Sequence, residues 1–117
     1  MIVSNKDEIK GLEINDNDMR GVKKKILIGP EEGWEGYVMR IFEVEENGYT
    51  AKHKHPWPHI NYIIKGKGEI EIEGKRYEIK EGSFAYIPSN KTHQFTNIGN
   101  ETLEFICIVP EEGNTKR

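Results

Sequence analysis

All four histidines of this 117-residue chain fall between positions 53 and 93. His53 and His55 stand two apart, so on an extended segment both imidazoles project from one face. Neutral imidazole is a preferred metal ligand, and such a pair aims two donors at one point. His59 follows a Pro56-Trp57-Pro58 corner, which can swing a third imidazole back toward that point. His93 comes after Pro88-Ser89-Asn90-Lys91-Thr92, at the head of another β-rich run. The chemistry of such a set is capture of one divalent transition metal. Imidazole suits iron, manganese, copper, nickel, cobalt and zinc alike, so the donors do not choose among them. Four neutral rings would leave the full dipositive charge on the ion. Only the unprotonated ring ligates, so binding is expected to weaken as pH falls through about 6.5.

Positioning these rings falls to short strands. No window of helical length carries an apolar stripe at 3.6-residue spacing. Instead, β-rich runs alternate with Gly, Pro and Asn, giving strands over 22–28, 37–44, 49–55, 60–65, 69–73, 76–79, 83–87, 93–97 and 103–109. Asn47-Gly48 reads as a turn, residues 29–36 as a loop, and Glu73-Gly74-Lys75 as a tight hairpin. Neither Pro56 nor Pro58 can donate to a ladder, so pairing stops between them. Strands this short and evenly spaced imply an all-β sandwich, barrel or jelly roll. The organisation expected is an arm at 1–20, one domain at 21–110 and a polar tail at 111–117.

The spacing resembles that of the cupins. Their first motif runs Gly, about five residues, His-x-His, three or four residues, Glu, six residues, Gly. Here Gly48, His53-Lys54-His55, His59 and Gly66 occupy those places. Their second motif runs Gly, five residues, Pro-x-Gly, two residues, His, three residues, Asn. Here the places are taken by Gly82, Pro88-Ser89-Asn90, His93 and Asn97. The first spacing is one residue short, Asn90 replaces Gly, and His59 replaces Glu. Asn tolerates the left-handed turn conformation, so Asn90 is a mild change. His59 changes the chemistry, and makes the chain similar to small single-domain cupins with four histidine ligands, where manganese is frequent. The resemblance implies a double-stranded β-helix, or jelly-roll barrel, with His53, His55, His59 and His93 as ligands of one divalent metal per chain.

Strand parity ranks further residues. With His93 inward, Phe95 and Asn97 face the same way, and Phe105 and Cys107 share a face of the last strand. Phe105 either lines the metal cavity or is plain core. Cys107 is either a small buried hydrophobe or borders the cavity. Asn61 either hydrogen-bonds a ligand imidazole from behind or is an exposed strand residue. Arg40 either sits on a strand surface or points into the barrel mouth to pair with a substrate carboxylate. Trp57 shelters the metal entrance, caps the core, or meets a partner chain.

Charged residues make up 32% of the chain with a net charge of only −3, which gives no basic face for nucleic acid. The single cysteine excludes an internal disulfide, residues 1–8 carry charges where a signal peptide needs an apolar run, and no run of ~20 apolar residues occurs. A cytoplasmic protein without membrane attachment is expected. The resemblance favours an oxygenase-type enzyme acting on a small anionic or chelating molecule at the metal centre itself. The alternative is a non-catalytic module that binds or senses a small ligand or metal. The arm and the lysine-bearing first strand have little core of their own to join, the resemblance implies pairing through such strands, and Ile106 and Ile108 alternate with Phe105 and Cys107, so a homodimer is expected.

Overall fold

A computed structural model describes residues 1–114. Nine strands form a nearly closed antiparallel barrel: β1 (Leu12–Glu13), β2 (Arg20–Ile28), β3 (Tyr37–Tyr49), β4 (His59–Lys65), β5 (Lys67–Ile72), β6 (Lys75–Lys80), β7 (Phe84–Ile87), β8 (His93–Asn97) and β9 (Leu103–Pro110). The order across the sheet is β6-β5-β8-β3-β9-β4-β7, with β2 on β3 and β1 on β2. The jelly roll expected from the sequence is therefore the fold. Among the described residues, no helix is long and apolar enough to cross a membrane.

Alternation along the strands builds the interior. In β9, Leu103, Phe105, Cys107 and Val109 point inward, while Ile106 and Ile108 on the other face are half-buried. Leu103 and Phe105 join Val22, Val44, Ile63, Ile70, Ile79, Ile87 and Phe95 in the main core. Cys107 and Val109 pack with Val38 in a second cluster, against which Trp57 lies. At roughly 1.5–3 kcal/mol for each large apolar side chain fully buried, these clusters make a rigid frame for the histidine end.

Two local expectations change. Asn47-Gly48 is not a hairpin turn. Asn47 adopts φ 66 inside a continuous β3, and the register to β2 slips between Arg20↔Tyr49 and Val22↔Val44. An Asn-Gly pair meets the left-handed requirement of a bulge as well as that of a turn. Nor do residues 49–55 make a strand of their own; beyond Tyr49 they meet β8 through the hydrogen bonds of Thr50 to Phe95 and Gln94 and an isolated bridge between His53 and His93.

The segment expected as an arm packs along the barrel. β1 pairs with β2, Lys6 Nζ lies 3.1 Å from buried Glu104, and Lys25 Nζ donates to the Lys6 carbonyl at 3.0 Å. In the expected tail, Glu111–Gly113 form a 3-10 turn that brings Asn114 over the barrel mouth, where it contacts Arg40 and Lys24. Residues 115–117 lie outside the described residues.

Candidate metal centre

His53 and His93 form a directly opposed antiparallel pair. His53 N donates to His93 O at 3.1 Å and His93 N to His53 O at 2.9 Å. Opposed residues present their side chains on one face, so this bridge sets two imidazoles side by side. Asn90 N donates to His55 O at 2.8 Å, fixing the other half of the His-x-His pair. Asn90 itself takes φ 64, the left-handed turn that its place in the motif calls for. His59 opens β4 just beyond the proline corner.

Among the described residues, the ligand nitrogens of His53, His55 and His93 lie within 4.8 Å of one another. His59 is not in that group of three but adjoins it. Its ring centroid is 4.7 Å from that of His93 and 5.4 Å from that of His55. Its Nε2 is 3.1 Å from His93 Nε2.

Hydrogen bonds on the far side of His55, His59 and His93 decide which of their nitrogens is bare. His55 Nδ1 donates to the Trp57 carbonyl at 2.9 Å, and His93 Nδ1 to the Lys91 carbonyl at 2.8 Å. His59 Nδ1 donates to Asn61 Oδ1 at 2.6 Å. The Asn61 amide is oriented by its own donation to the Ile106 carbonyl at 3.3 Å. A neutral ring that donates from Nδ1 keeps only a lone pair on Nε2. The bare Nε2 atoms of His59 and His93 thus face each other with no proton between them.

A shared proton would relieve that contact, but the surroundings oppose it. Burial, then the charge of His93, holds His59 down to about 3, against the weaker opposing effect of the Asn61 bond. His53 is pulled down to about 4, by desolvation first and then by His93 and His55. His55 and His93 are lowered too, mainly by burial. At neutral pH all four rings are unprotonated donors. A divalent metal fits this set, because it can accept the lone pairs that the rings cannot share.

Above the rings lies a cavity of about 340 Å³ lined by His53, His55, Trp57, Lys24, Arg40 and Asn114, among others. Its charged lining residues are Lys24, Arg40 and Lys54; no carboxylate lines it among the described residues, although Asp16 is near enough to act on His53. Arg40 stands in the mouth, with neutral acceptors at the Gly113 carbonyl, Asn114 Oδ1 and Cys107 Sγ at 3.5, 3.4 and 3.2 Å. Its guanidinium lies 4.9 Å from the Phe42 ring centre, and its Nε is buried with no hydrogen-bond partner among the described residues.

The other residues singled out from sequence divide between site and core. Asn61 is buried and holds His59 from behind. Trp57 stacks on His55 at 4.6 Å and 14° while packing on the second cluster, so it both shelters the site and caps that core. Phe95 and Phe105 stack on each other at 4.2 Å within the main core. Cys107 is buried below Arg40.

Lys24 and Asn114 carried no assignment from sequence. Lys24 shares the inward parity of Val22 and Ile26 and pairs with Phe42, so alternation within β2 could have singled it out. Asn114 offers no such pattern, because only the fold brings the end of β9 to the mouth.

The family model described as Cupin domain matches residues 40–109. The chain is 36% identical to an oxalate-binding protein of Thermotoga maritima, over 49% of this chain and 48% of that one. It is 37% identical to an uncharacterised protein of Methanocaldococcus jannaschii, over 50% and 47%. These alignments span about half the length of the curated relatives. The polyketide cyclase RemF from Streptomyces resistomycificus superposes with a TM-score of 0.87 at 25% identity, over 94% of this chain and 79% of that one.

Proposed function

The chain belongs to the cupin family, and on that premise we propose that it is a metal-dependent enzyme of oxygenase type acting on a small organic anion. What carries the proposal is a cation-lined mouth opening directly onto a cluster of neutral imidazoles. His53, His55 and His93 would hold the ion, with His59 as fourth ligand. When bound, a divalent transition metal, manganese being favoured by the resemblance, supplies a Lewis-acidic, redox-capable centre that attracts an anionic chelator.

The chain's own residues divide the remaining work. Arg40 is fitted to orient a carboxylate, because its planar fork bonds such groups bidentately and its contacts here are all neutral. Asn61 fixes the tautomer and direction of the His59 ring. Trp57 covers one face of His55 and keeps water off it.

A second reading, a binding protein for small carboxylates, is favoured by one observation. No Asp or Glu lines the mouth among the described residues, so no carboxylate stands there to serve as general base. The relative named as an oxalate-binding protein points the same way.

Metal analysis of protein purified without chelators, followed by oxygen uptake with small carboxylates, diketones and catechols, separates the two. About one metal per chain and oxygen consumed with one substrate class is the expected result. Metal with tight oxalate binding but no turnover selects the binding protein. A chain that takes up no metal sinks both.

A further inference from the structure

The chain leaving β9 does not trail into solvent. Glu111–Gly113 make their 3-10 turn at once, and Asn114 lies between Lys24 and Arg40, two of the cations lining the mouth. Asn114 Oδ1 accepts from Lys24 Nζ at 3.3 Å and from Arg40 Nη1 at 3.4 Å, while the Gly113 carbonyl accepts from Arg40 Nη1 at 3.5 Å. These bonds lie at or beyond the long end of the usual range and end on neutral oxygens. A carboxylate would meet the same donors at about 2.7–2.9 Å and roughly twice the strength. A neutral amide oxygen therefore sits against the Arg40 guanidinium, whose planar fork is fitted to an anionic one.

Gly113 makes the second contact. A Cβ at this position would stand 2.7 Å from Trp57 Nε1 and 3.0 Å from Trp57 Cδ1, so the turn closes on the indole only because residue 113 has no side chain. Trp57 in turn covers His55. Contacts thus run unbroken from the seat of Asn114, through Gly113 and the indole, to a metal-cluster imidazole.

We propose that residues 111–114 form a latch over the barrel mouth, in which Asn114 occupies the carboxylate seat of Arg40 until an anionic ligand displaces it. The latch rests on the anion-binding reading given above. Displacement of Asn114 frees Gly113 from Trp57, so ligand entry uncovers the indole and the ring behind it. Every binding event then works against the closed latch, which lowers apparent affinity by the fraction of open molecules.

The test uses the full chain with Trp34→Phe, which leaves Trp57 as the only indole. Acrylamide, a neutral quencher, reports how well the latch covers Trp57, and oxalate titration of metal-loaded protein reports the seat. Asn114→Ala should raise quenching and tighten oxalate roughly five-fold, the worth of one modest hydrogen-bonded contact. Gly113→Ala should raise quenching as well. Asn114→Asp, nearly the same shape but charged, should lower quenching and weaken oxalate by at least as much. Weaker oxalate binding in Asn114→Ala would make Asn114 a ligand contact and overturn the latch. So would equal quenching in the Ala, Asp and parent proteins. A parent protein blind to oxalate would sink the anion reading alone, since quenching in the Ala and Asp variants still decides whether the mouth is latched.

Discussion

The Nε2 atoms of His59 and His93 stand 3.1 Å apart, although each ring already donates from Nδ1, His59 to Asn61 and His93 to the Lys91 carbonyl. Two lone pairs held this close repel unless a cation lies near both. The fold imposes that contact through the proline corner before β4 and the bridge between His53 and His93. A metal would be the partner that turns the repulsion into binding.

If His59 is a ligand, His59→Ala should lower metal affinity while leaving the barrel folded, as competition with a chromogenic chelator would measure. Asn61→Ala should lower it by about ten-fold to a hundred-fold, because the His59 ring loses its orienting acceptor. His59→Glu should keep metal but bind anionic ligands more weakly, since a carboxylate cancels one unit of the ion's charge. Unchanged metal affinity in His59→Ala would leave a three-histidine site.

Acid should destabilise the metal-free protein from the neutral side. His59 titrates at about 3 and His53 at about 4 in the folded chain, against about 6.5 when unfolded. Above about 6.5 both states hold neutral rings and stability is full. Below it the unfolded chain takes up protons that the folded chain refuses, so stability falls progressively until pH reaches the folded values. Urea midpoints at pH 7.5, 5.5 and 4.5, roughly spanning that window, should decline in that order. The same shifts move the acid limit of metal binding below the pH of about 6.5 expected for unperturbed rings, so retention of metal by folded protein at about pH 5.5 checks them independently.

Arg40→Met should leave metal content intact and weaken carboxylate binding by about ten-fold or more, the usual scale for losing a charge-assisted pair. Arg40→Lys should recover only part of it, because a point charge cannot reproduce the planar fork. Calorimetric titration of the metal-loaded variants with oxalate would measure both. Parent-like affinity in Arg40→Met would remove the anion seat from this residue.

We also propose a homodimer through the outer face of β4, β7 and β9. Phe84 is 80% exposed, Tyr86 63%, Ile60 52% and Tyr62 48%, and they adjoin Ile106 and Ile108 across paired strands. No charge interrupts these six side chains, so the patch complements itself about a two-fold axis. Light scattering should give twice 13.6 kDa for the parent chain and 13.6 kDa for Phe84→Glu. A parent protein of 13.6 kDa at micromolar concentration would end the idea.

The sequence by itself determined an all-β fold, through β-rich runs broken at Gly and Pro, and the inward parity of His93, Phe95 and Asn97, while the resemblance of its two motifs to those of cupins narrowed sandwich, barrel or jelly roll to the jelly roll. It also marked out the four histidines, because ligand spacing on strands is a local property. It misread Asn47-Gly48, since one left-handed residue serves a bulge as well as a hairpin and only the neighbouring strand decides between them. Tertiary structure decided the rest. It set Nε2 of His59 against Nε2 of His93, depressed the imidazoles by burial, and placed Asn61 behind His59 while Phe95 and Phe105 stacked in the core. It also folded Asn114 back onto Lys24 and Arg40, residues 90 and 74 positions away. Side-chain direction within a strand follows from alternation, but proximity between distant segments depends on how the sheet closes, and no local pattern encodes that.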